Sequence, residues 1–336
     1  MSAVTASLDL PVADAALAES VRVGLAAVEA RLRKAVEQND KLADDASRHL
    51  IEAGGKRVRP MLTLLAAHLA DGDRPEIIEA AVVVELTHLA TLYHDDVMDS
   101  APVRRGAPAA HQVWGNTVAI LTGDLLFARA SVIVADLGPD AVRIQASTFE
   151  RLCLGQMHET VGPADGEDPV EHYLQVLSDK TGSLIATAGR FGAMFAGCSD
   201  DVIEIMVSYG ERVGVAFQLA DDVIDLASDT GESGKTPGTD LREGVPTLPV
   251  LLVRRAAAEG DAEALDIVAM LDSDLSEDAA LASAVQALGR HPATDAARDE
   301  ATRWAQEAVA VLAPLPEGPA KQALRTFAEA VVDRTR

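Results

Sequence analysis

Aromatic residues make up only 3% of this 336-residue chain, and alternating β-branched runs are scarce. Strand-rich architectures are therefore poorly supplied, whereas Ala-rich amphipathic stretches such as Pro75 to Thr91 and Glu300 to Leu312 favour helix. Cysteine is nearly absent. Cys153 and Cys198 stand far apart in no metal-like spacing, which excludes a disulfide framework and fits a reducing cytoplasm. Nowhere do about 18 uninterrupted apolar residues occur, and Met1 to Glu19 offers no basic lead into an apolar core, so neither a transmembrane span nor a secretion signal is expected. Positive charge is in the minority: 29 Lys and Arg against 53 Asp and Glu leave a formal net charge of −24, which repels nucleic acid and anionic lipid from the general surface. No Gly/Pro/Ser linker or break in composition divides the chain. The expectation is one all-α domain over 16–336 behind a mobile lead over 1–15.

What the sequence does contain is acid in a repeated pattern. Asp95-Asp96-Val97-Met98-Asp99 and Asp221-Asp222-Val223-Ile224-Asp225 each follow a strongly apolar helical segment. Residues four apart share a helix face, so Asp95 with Asp99, and Asp221 with Asp225, form two-carboxylate clamps. Like charges at that spacing repel, and negative charge at a helix C-terminus opposes the macrodipole. A cation should offset both, and Mg²⁺ suits the position because it binds through one or two carboxylates and completes its shell with water and phosphate oxygens. A solvated acidic helix end explains one such motif. It does not explain two, each preceding a breaker-rich loop with basic residues: Ser100 to Pro108 with Arg104 and Arg105, and Ser228 to Pro249 with Lys235.

The cations gather where an anion would be held. Gly54-Gly55-Lys56-Arg57-Val58-Arg59-Pro60 packs three basic residues behind two glycines, an arrangement suited to a diphosphate. Arg104 and Arg105 form a second compact site just past Asp99. His88 lies two helical turns before Asp95 on nearly the same face and reads as a diphosphate contact, while His94 reads as structural. Lys180 and Lys235 are weak signals on their own.

Together these residues resemble the trans-isoprenyl diphosphate synthases, or polyprenyl synthases, from about Ile51 to Pro249. The resemblance is carried by Gly-Gly-Lys-Arg-Val-Arg-Pro, by Leu92 to Asp99 with Arg104-Arg105-Gly106, and by Asn116 to Asp124 ending Leu-Thr-Gly-Asp. Lys180-Thr181 and Phe217 to Asp222 complete it, in the family's order. It implies a helical bundle around a deep central cavity, where two acidic helix ends converge on one diphosphate. It implies that Asp95, Asp99 and Asp221 ligate Mg²⁺, three ions with substrate bound, and that Asp96, Asp222 and Asp225 support them. By the same resemblance Arg104, Lys180 and Lys235 hold the allylic diphosphate, and Lys56, Arg59, His88 and Arg105 hold isopentenyl diphosphate. Thr181 and Gln218 lie near the developing allylic cation. A homodimer is implied, and no nucleic-acid partner.

In the family the residues before the first aspartate motif wall the cavity that takes the growing tail. Here Thr87, Ala90 and Thr91 are all small, so the expected product is long, hexaprenyl to decaprenyl, as for a quinone side chain. Phe127, Phe149 and Leu152 are candidates for the floor. Competing readings are a short-chain farnesyl or geranylgeranyl diphosphate synthase, a class I terpene cyclase and a non-catalytic prenyltransferase subunit. The second DDxxD and the Lys56/Arg59 site argue against the cyclase, and the presence of both aspartate motifs argues against the subunit.

Overall fold

The computed structural model describes residues 12–227 and 237–333; part of the expected lead, residues 1–11, and Lys235 lie outside them. In chain order the first elements are α1 (Ala15–Ala35), α2 (Lys41–Glu52), α3 (Val58–Ala67) and α4 (Pro75–Met98). A two-residue hairpin, β1 (Val103–Arg104) and β2 (Ala107–Pro108), leads into α5 (Ala110–Trp114), α6 (Asn116–Asp136), α7 (Pro139–Val161) and α8 (Pro169–Leu177). A π-helical turn, Ser178–Gly182, precedes α9 (Ser183–Phe195) and α10 (Asp200–Ala227). The remainder is α11 (Thr239–Glu243), α12 (Leu248–Ala258), α13 (Ala262–Leu271), α14 (Asp278–Arg290), α15 (Pro292–Val311) and α16 (Pro319–Asp333). The all-α expectation holds.

Helix starts are set by side chains that satisfy otherwise orphaned N–H groups. Asp14 accepts from the Leu17 amide at 2.8 Å, Asp40 from Ala43 at 2.9 Å and Asp261 from Ala264 at 3.0 Å. Pro75 opens α4 at a position where a missing amide costs nothing.

The chain divides into two compact units, the first built from 1–151, 183–210 and 311–327, the second from 152–182, 211–310 and 328–336. In the first, α4 is the central helix. Its apolar residues run all round it rather than along one stripe, as befits a helix buried on every side, and it packs against α1, α3, α5, α6 and α9. Two close approaches depend on glycine: a Cβ on Gly192 of α9 would stand 2.2 Å from the Thr63 carbonyl of α3, and one on Gly123 of α6 would stand 3.0 Å from the Ala90 carbonyl of α4. Helices α4 and α6 are long and apolar enough to cross a membrane by length and composition alone, although charged residues interrupt both; 67% of the apolar window of α4 is buried inside the protein, against 39% for α6. In the second unit Leu226, Val253, Ile267, Leu281, Ala284 and Leu288 form a core shared by α10, α12, α13 and α14.

Candidate active site

Helix α4 ends in the first acidic motif. Asp99 is its C-cap, its amide donating to the Asp95 carbonyl at 2.8 Å, and Ala101 donates to the Asp96 carbonyl at 3.1 Å while Ser100 takes a left-handed φ of 53°. This is a Schellman-type close with serine where glycine is usual. It leaves Asp95 half-buried and Asp99 exposed, one turn apart, and Asp96 turned inward and wholly buried. Arg104 Nε donates to Asp96 Oδ1 at 2.5 Å, and Asp96 Oδ2 is buried with no hydrogen-bond partner. Hard carboxylate oxygens one turn apart at the negative end of a helix dipole, backed by a buried carboxylate with an unsatisfied oxygen, fit a hard divalent cation. Among the described residues no three acidic or histidine side chains form a ready-made cation cage, and a two-carboxylate clamp needs none.

Arg104 and Arg105 are placed by the hairpin, which sequence alone does not announce. Val103 pairs with Pro108 and Arg104 with Ala107, leaving Arg105 (φ 54°) and Gly106 (φ 76°) as a two-residue turn with both residues left-handed. Such turns ordinarily read Asn-Gly, so an arginine in the first position conceals them. The turn sends the Arg105 guanidinium inward, where Nη1 donates to the Leu50 carbonyl at 3.0 Å and to the Gly54 carbonyl.

The basic loop between α2 and α3 meets it there. Arg57 has a left-handed φ of 49°, and its side chain is only 4% exposed. Its Nη1 donates to Glu85 Oε1 at 2.8 Å, its Nε donates to Glu29, and Gly54 and Ile51 carbonyls accept from it at 3.3 Å. Glu85, on α4 and 2% exposed, also stands 3.9 Å from Arg105 Nη2. The sequence marks Arg57 only as one of three cations suited to a diphosphate and Glu85 not at all; nothing distinguishes Glu85 among 53 acidic residues. Burial pulls the Arg59 guanidinium down to about 10, with Glu85 opposing and Arg105 reinforcing the shift, and Arg59 Nε is buried without a partner. Burial, and then the charges of Arg59, Arg105, Arg104 and Arg57, hold His88 well below the usual imidazole range. So Arg59, Arg105 and His88 are brought together, whereas Lys56 is exposed. His94 instead packs on Gly123, its Nε2 3.1 Å from the Ile120 carbonyl and 3.3 Å from Asp124. That contact is what Leu-Thr-Gly-Asp supplies.

Below the motif, α4 borders a tightly closed slot, without room for a water molecule, lined by Val83, Thr87, Gln145, Thr148, Thr187 and Phe191 among others. Its threonines are turned to backbone carbonyls: Thr87 Oγ1 donates to Val83, Thr148 to Ile144 and Thr187 to Ser183, at 2.8 to 2.9 Å. Hydroxyls so satisfied turn the threonine methyls to the slot, and Gln145, with its Nε2 buried and unpartnered, is the polar side chain left in the lining. Of the expected wall, Thr87 lines this slot, Ala90 is wholly buried and Thr91 half-buried. Phe127 and Phe149 stack at 3.9 Å between centroids, and Leu152 is 6% exposed.

The second motif lies in the other unit, near the end of α10. Asp221 is half-buried, Asp222 is buried and accepts from the Tyr173 hydroxyl, and Gln218 Nε2 approaches Asp222 Oδ1 at 3.4 Å. Burial raises the Asp222 carboxyl well above its usual range, against the lowering effect of the Tyr173 bond. Asp225 Oδ2 accepts from the Asp240 amide at 3.1 Å, tying the start of α11 to the motif. Thr181 Oγ1 reaches Gln218 Oε1 at 3.5 Å, and Lys180 pairs with Glu159 at 2.5 Å. Lys180 and Thr181 sit in the π-helical turn, a feature that often marks functional segments. A Cβ on Gly214 of α10 would come 2.6 Å from the Gly182 Cα and one on Gly155 of α7 2.8 Å from the Lys180 amide, so two glycines let neighbouring helices close on that turn. Tyr173 and Glu159 carried no signal in the sequence.

Comparison with known proteins places the chain in a family. The nonaprenyl diphosphate synthase of Mycobacterium tuberculosis is 46% identical over 332 residues, 98% of each chain. A polyprenyl synthase from Caulobacter crescentus, solved with calcium and isoprenyl diphosphate, superposes with a TM-score of 0.87 at 34% identity, over 95% of this chain and 97% of that one. A geranylgeranyl pyrophosphate synthase from Corynebacterium glutamicum, solved with the same ligands, gives 0.84 at 42% identity, over 96% and 98%. The sequence model of the polyprenyl synthetase family matches residues 40–288, and the chain belongs to that family.

Proposed function

We propose that this chain is a Mg²⁺-dependent trans-prenyltransferase that condenses isopentenyl diphosphate with an allylic diphosphate repeatedly, up to a hexaprenyl to decaprenyl diphosphate of the kind used for quinone side chains. One observation carries the reading. A single buried helix, α4, bears the carboxylate pair Asp95/Asp99 at its end, His88 among arginines two turns earlier, and Thr87 on the slot about 12 Å below Asp95 at 1.5 Å per residue. Metal clamp, diphosphate site and the closed slot that a growing tail would have to open thus follow one another along one buried helix.

In this reading Asp95, Asp99 and Asp221 hold the Mg²⁺, with Asp96, Asp222 and Asp225 behind them. Mg²⁺ so bound supplies positive charge to the diphosphate as it departs. Arg104, Lys180 and Lys235 bind the same diphosphate, and Lys56, Arg59, His88 and Arg105 orient isopentenyl diphosphate. As the allylic C–O bond breaks, the isopentenyl double bond forms the new C–C bond, and the proton lost from isopentenyl passes to the released diphosphate. Thr181 and Gln218 present oxygens toward the developing cation. Preorganised charge, not a nucleophilic side chain, lowers the barrier.

Further parts of the reading are a homodimer, a cytoplasmic location and both units acting as one catalytic domain. The homodimer is supported by the apolar face that α5 and α6 expose through Val113, Ile120, Leu121 and Val132. The cytoplasmic location is supported by two free cysteines.

The test is incubation with isopentenyl and farnesyl diphosphates and Mg²⁺, followed by chromatography of the products. Hexaprenyl to decaprenyl products are expected, lost on chelation with EDTA. Elongation stopping at geranylgeranyl would favour the short-chain reading, which the 42% identity to a geranylgeranyl pyrophosphate synthase keeps in play. Thr87→Phe should then shorten the product by at least one isoprene unit; an unchanged product spectrum would remove the slot from the tail's path.

A further inference from the structure

We propose that Glu85 is the positioning residue of the isopentenyl diphosphate site: from within α4 its buried carboxylate anchors the Gly54–Arg59 loop through Arg57, and it holds Arg105, itself hydrogen-bonded to the Gly54 carbonyl of that loop, by charge at 3.9 Å. The inference rests on the assignment of Arg59, His88 and Arg105 to that substrate made above.

Arg57, Arg59 and Arg105 converge on a small volume, and such a group repels itself unless a carboxylate sits among them. Glu85 is that carboxylate. It is 2% exposed, stands 2.8 Å from Arg57 Nη1 and 3.9 Å from Arg105 Nη2, and its charge also acts on Arg59. Glu29 adds a second anion, paired with Arg57 and Arg33 and acting through its charge on Arg105 as well. The three guanidiniums still outnumber the two carboxylates, and the surplus is what a diphosphate would neutralise.

The geometry makes Glu85 a strut and not a ligand. It lies three residues before His88, on the same face of α4, so the helix that carries the acidic clamp also sets where the arginines stand. Arg57 holds a left-handed backbone that L-residues adopt at a cost, and its side chain is spent on Glu85, Glu29 and two carbonyls. It anchors the loop and has little left for a substrate. Arg105 passes beneath Gly55, where any Cβ would come within 2.7 Å of its Cζ. The loop and the guanidinium are thus in close contact, with Glu85 paired to Arg57 and 3.9 Å from Arg105. A buried ion pair is weak evidence for stability, so the natural role of this one is to hold unbound arginines in the geometry the substrate needs, sparing that cost at binding.

The experiment measures KM for isopentenyl diphosphate and for the allylic substrate separately, with thermal melts, in the full-length Glu85→Gln, Glu85→Asp, Arg105→Ala and Glu85→Gln/Arg105→Ala proteins. Glu85→Gln should raise KM for isopentenyl diphosphate about tenfold or more and move the allylic KM less than twofold, Glu85→Asp should fall between, and the double variant should be no worse than about the worse single. If Glu85→Gln is not soluble, Glu85→Asp carries the same criteria. An isopentenyl KM within twofold of wild type in the Glu85 variants, or equal rises for both substrates, while Arg105→Ala raises the isopentenyl KM, overturns the role of Glu85 alone. No effect of Arg105→Ala on that KM overturns the site assignment and the inference with it.

Discussion

Among single side chains on α4, His88 is the one whose protonation is most sharply set by its surroundings: burial and four arginines keep the ring neutral, well below its ordinary 6.5. In the unfolded chain the same ring takes up a proton near 6.5, so below that pH the unfolded state binds more protons than the folded one. Stability from this group is thus fully present above about pH 6.5 and is lost as pH falls, at up to about 1.4 kcal/mol per pH unit. His88→Gln removes the titration. Melting temperatures between pH 7.5 and 5.5 should fall less steeply for the variant than for the wild type, and parallel curves would show that the ring is protonated in the folded protein. At pH 7 a neutral His88 donates one ring N–H to a diphosphate without adding to the arginine repulsion. Asp222 is tuned the opposite way, burial favouring its protonated form, which is why it reads as a support behind Asp221.

Secondary-structure elements were legible from sequence in proportion to how local their causes are. The helices announced themselves through Ala-rich amphipathic stretches, and both acidic motifs stand near helix ends, as the breaker-rich loops after them lead one to expect. The hairpin over 103–108 did not, because its turn chemistry is carried by Arg105 in a conformation that Asn or Gly normally fills. Nor did α11 or the π-helical turn, the second of which depends on tertiary contact: Gly182 lies against Gly214 and the Lys180 amide against Gly155. That contact makes a prediction. Gly214→Ala drives a Cβ to 2.6 Å from the Gly182 Cα, backbone that cannot rotate away, so the turn must shift and carry Lys180 and Thr181 with it. Destabilisation of roughly 1–3 kcal/mol is expected, with kcat down at least tenfold under conditions where the variant is fully folded. Wild-type kcat in a destabilised variant would mean that the position of the turn is immaterial to catalysis.

For the molecule as a whole, residue type and spacing marked the aspartate clamps and the clustered cations, Arg57 among them, and the family resemblance added Lys180, Thr181, Gln218 and Lys235; Glu85, Tyr173 and Glu159 went unmarked, being ordinary charged or polar residues whose roles arise only from burial and partners. The two aspartate motifs belong to different compact units, so the proposal that they serve one diphosphate is a claim about function across the chain and calls for a functional measurement. Each alone, as Asp95→Ala or Asp221→Ala, should lower kcat about 10²-fold to 10³-fold, the scale on which a preorganised charge contributes to a transition state. If both hold cations on the same departing group, loss of either already dismantles the cluster, and residues that act as a unit are strongly non-additive. The Asp95→Ala/Asp221→Ala protein should then be within about tenfold of the worse single variant. A double variant whose loss equals the product of the two single losses would mean that the motifs act independently, and that two sites, not one, carry the metal chemistry of this chain.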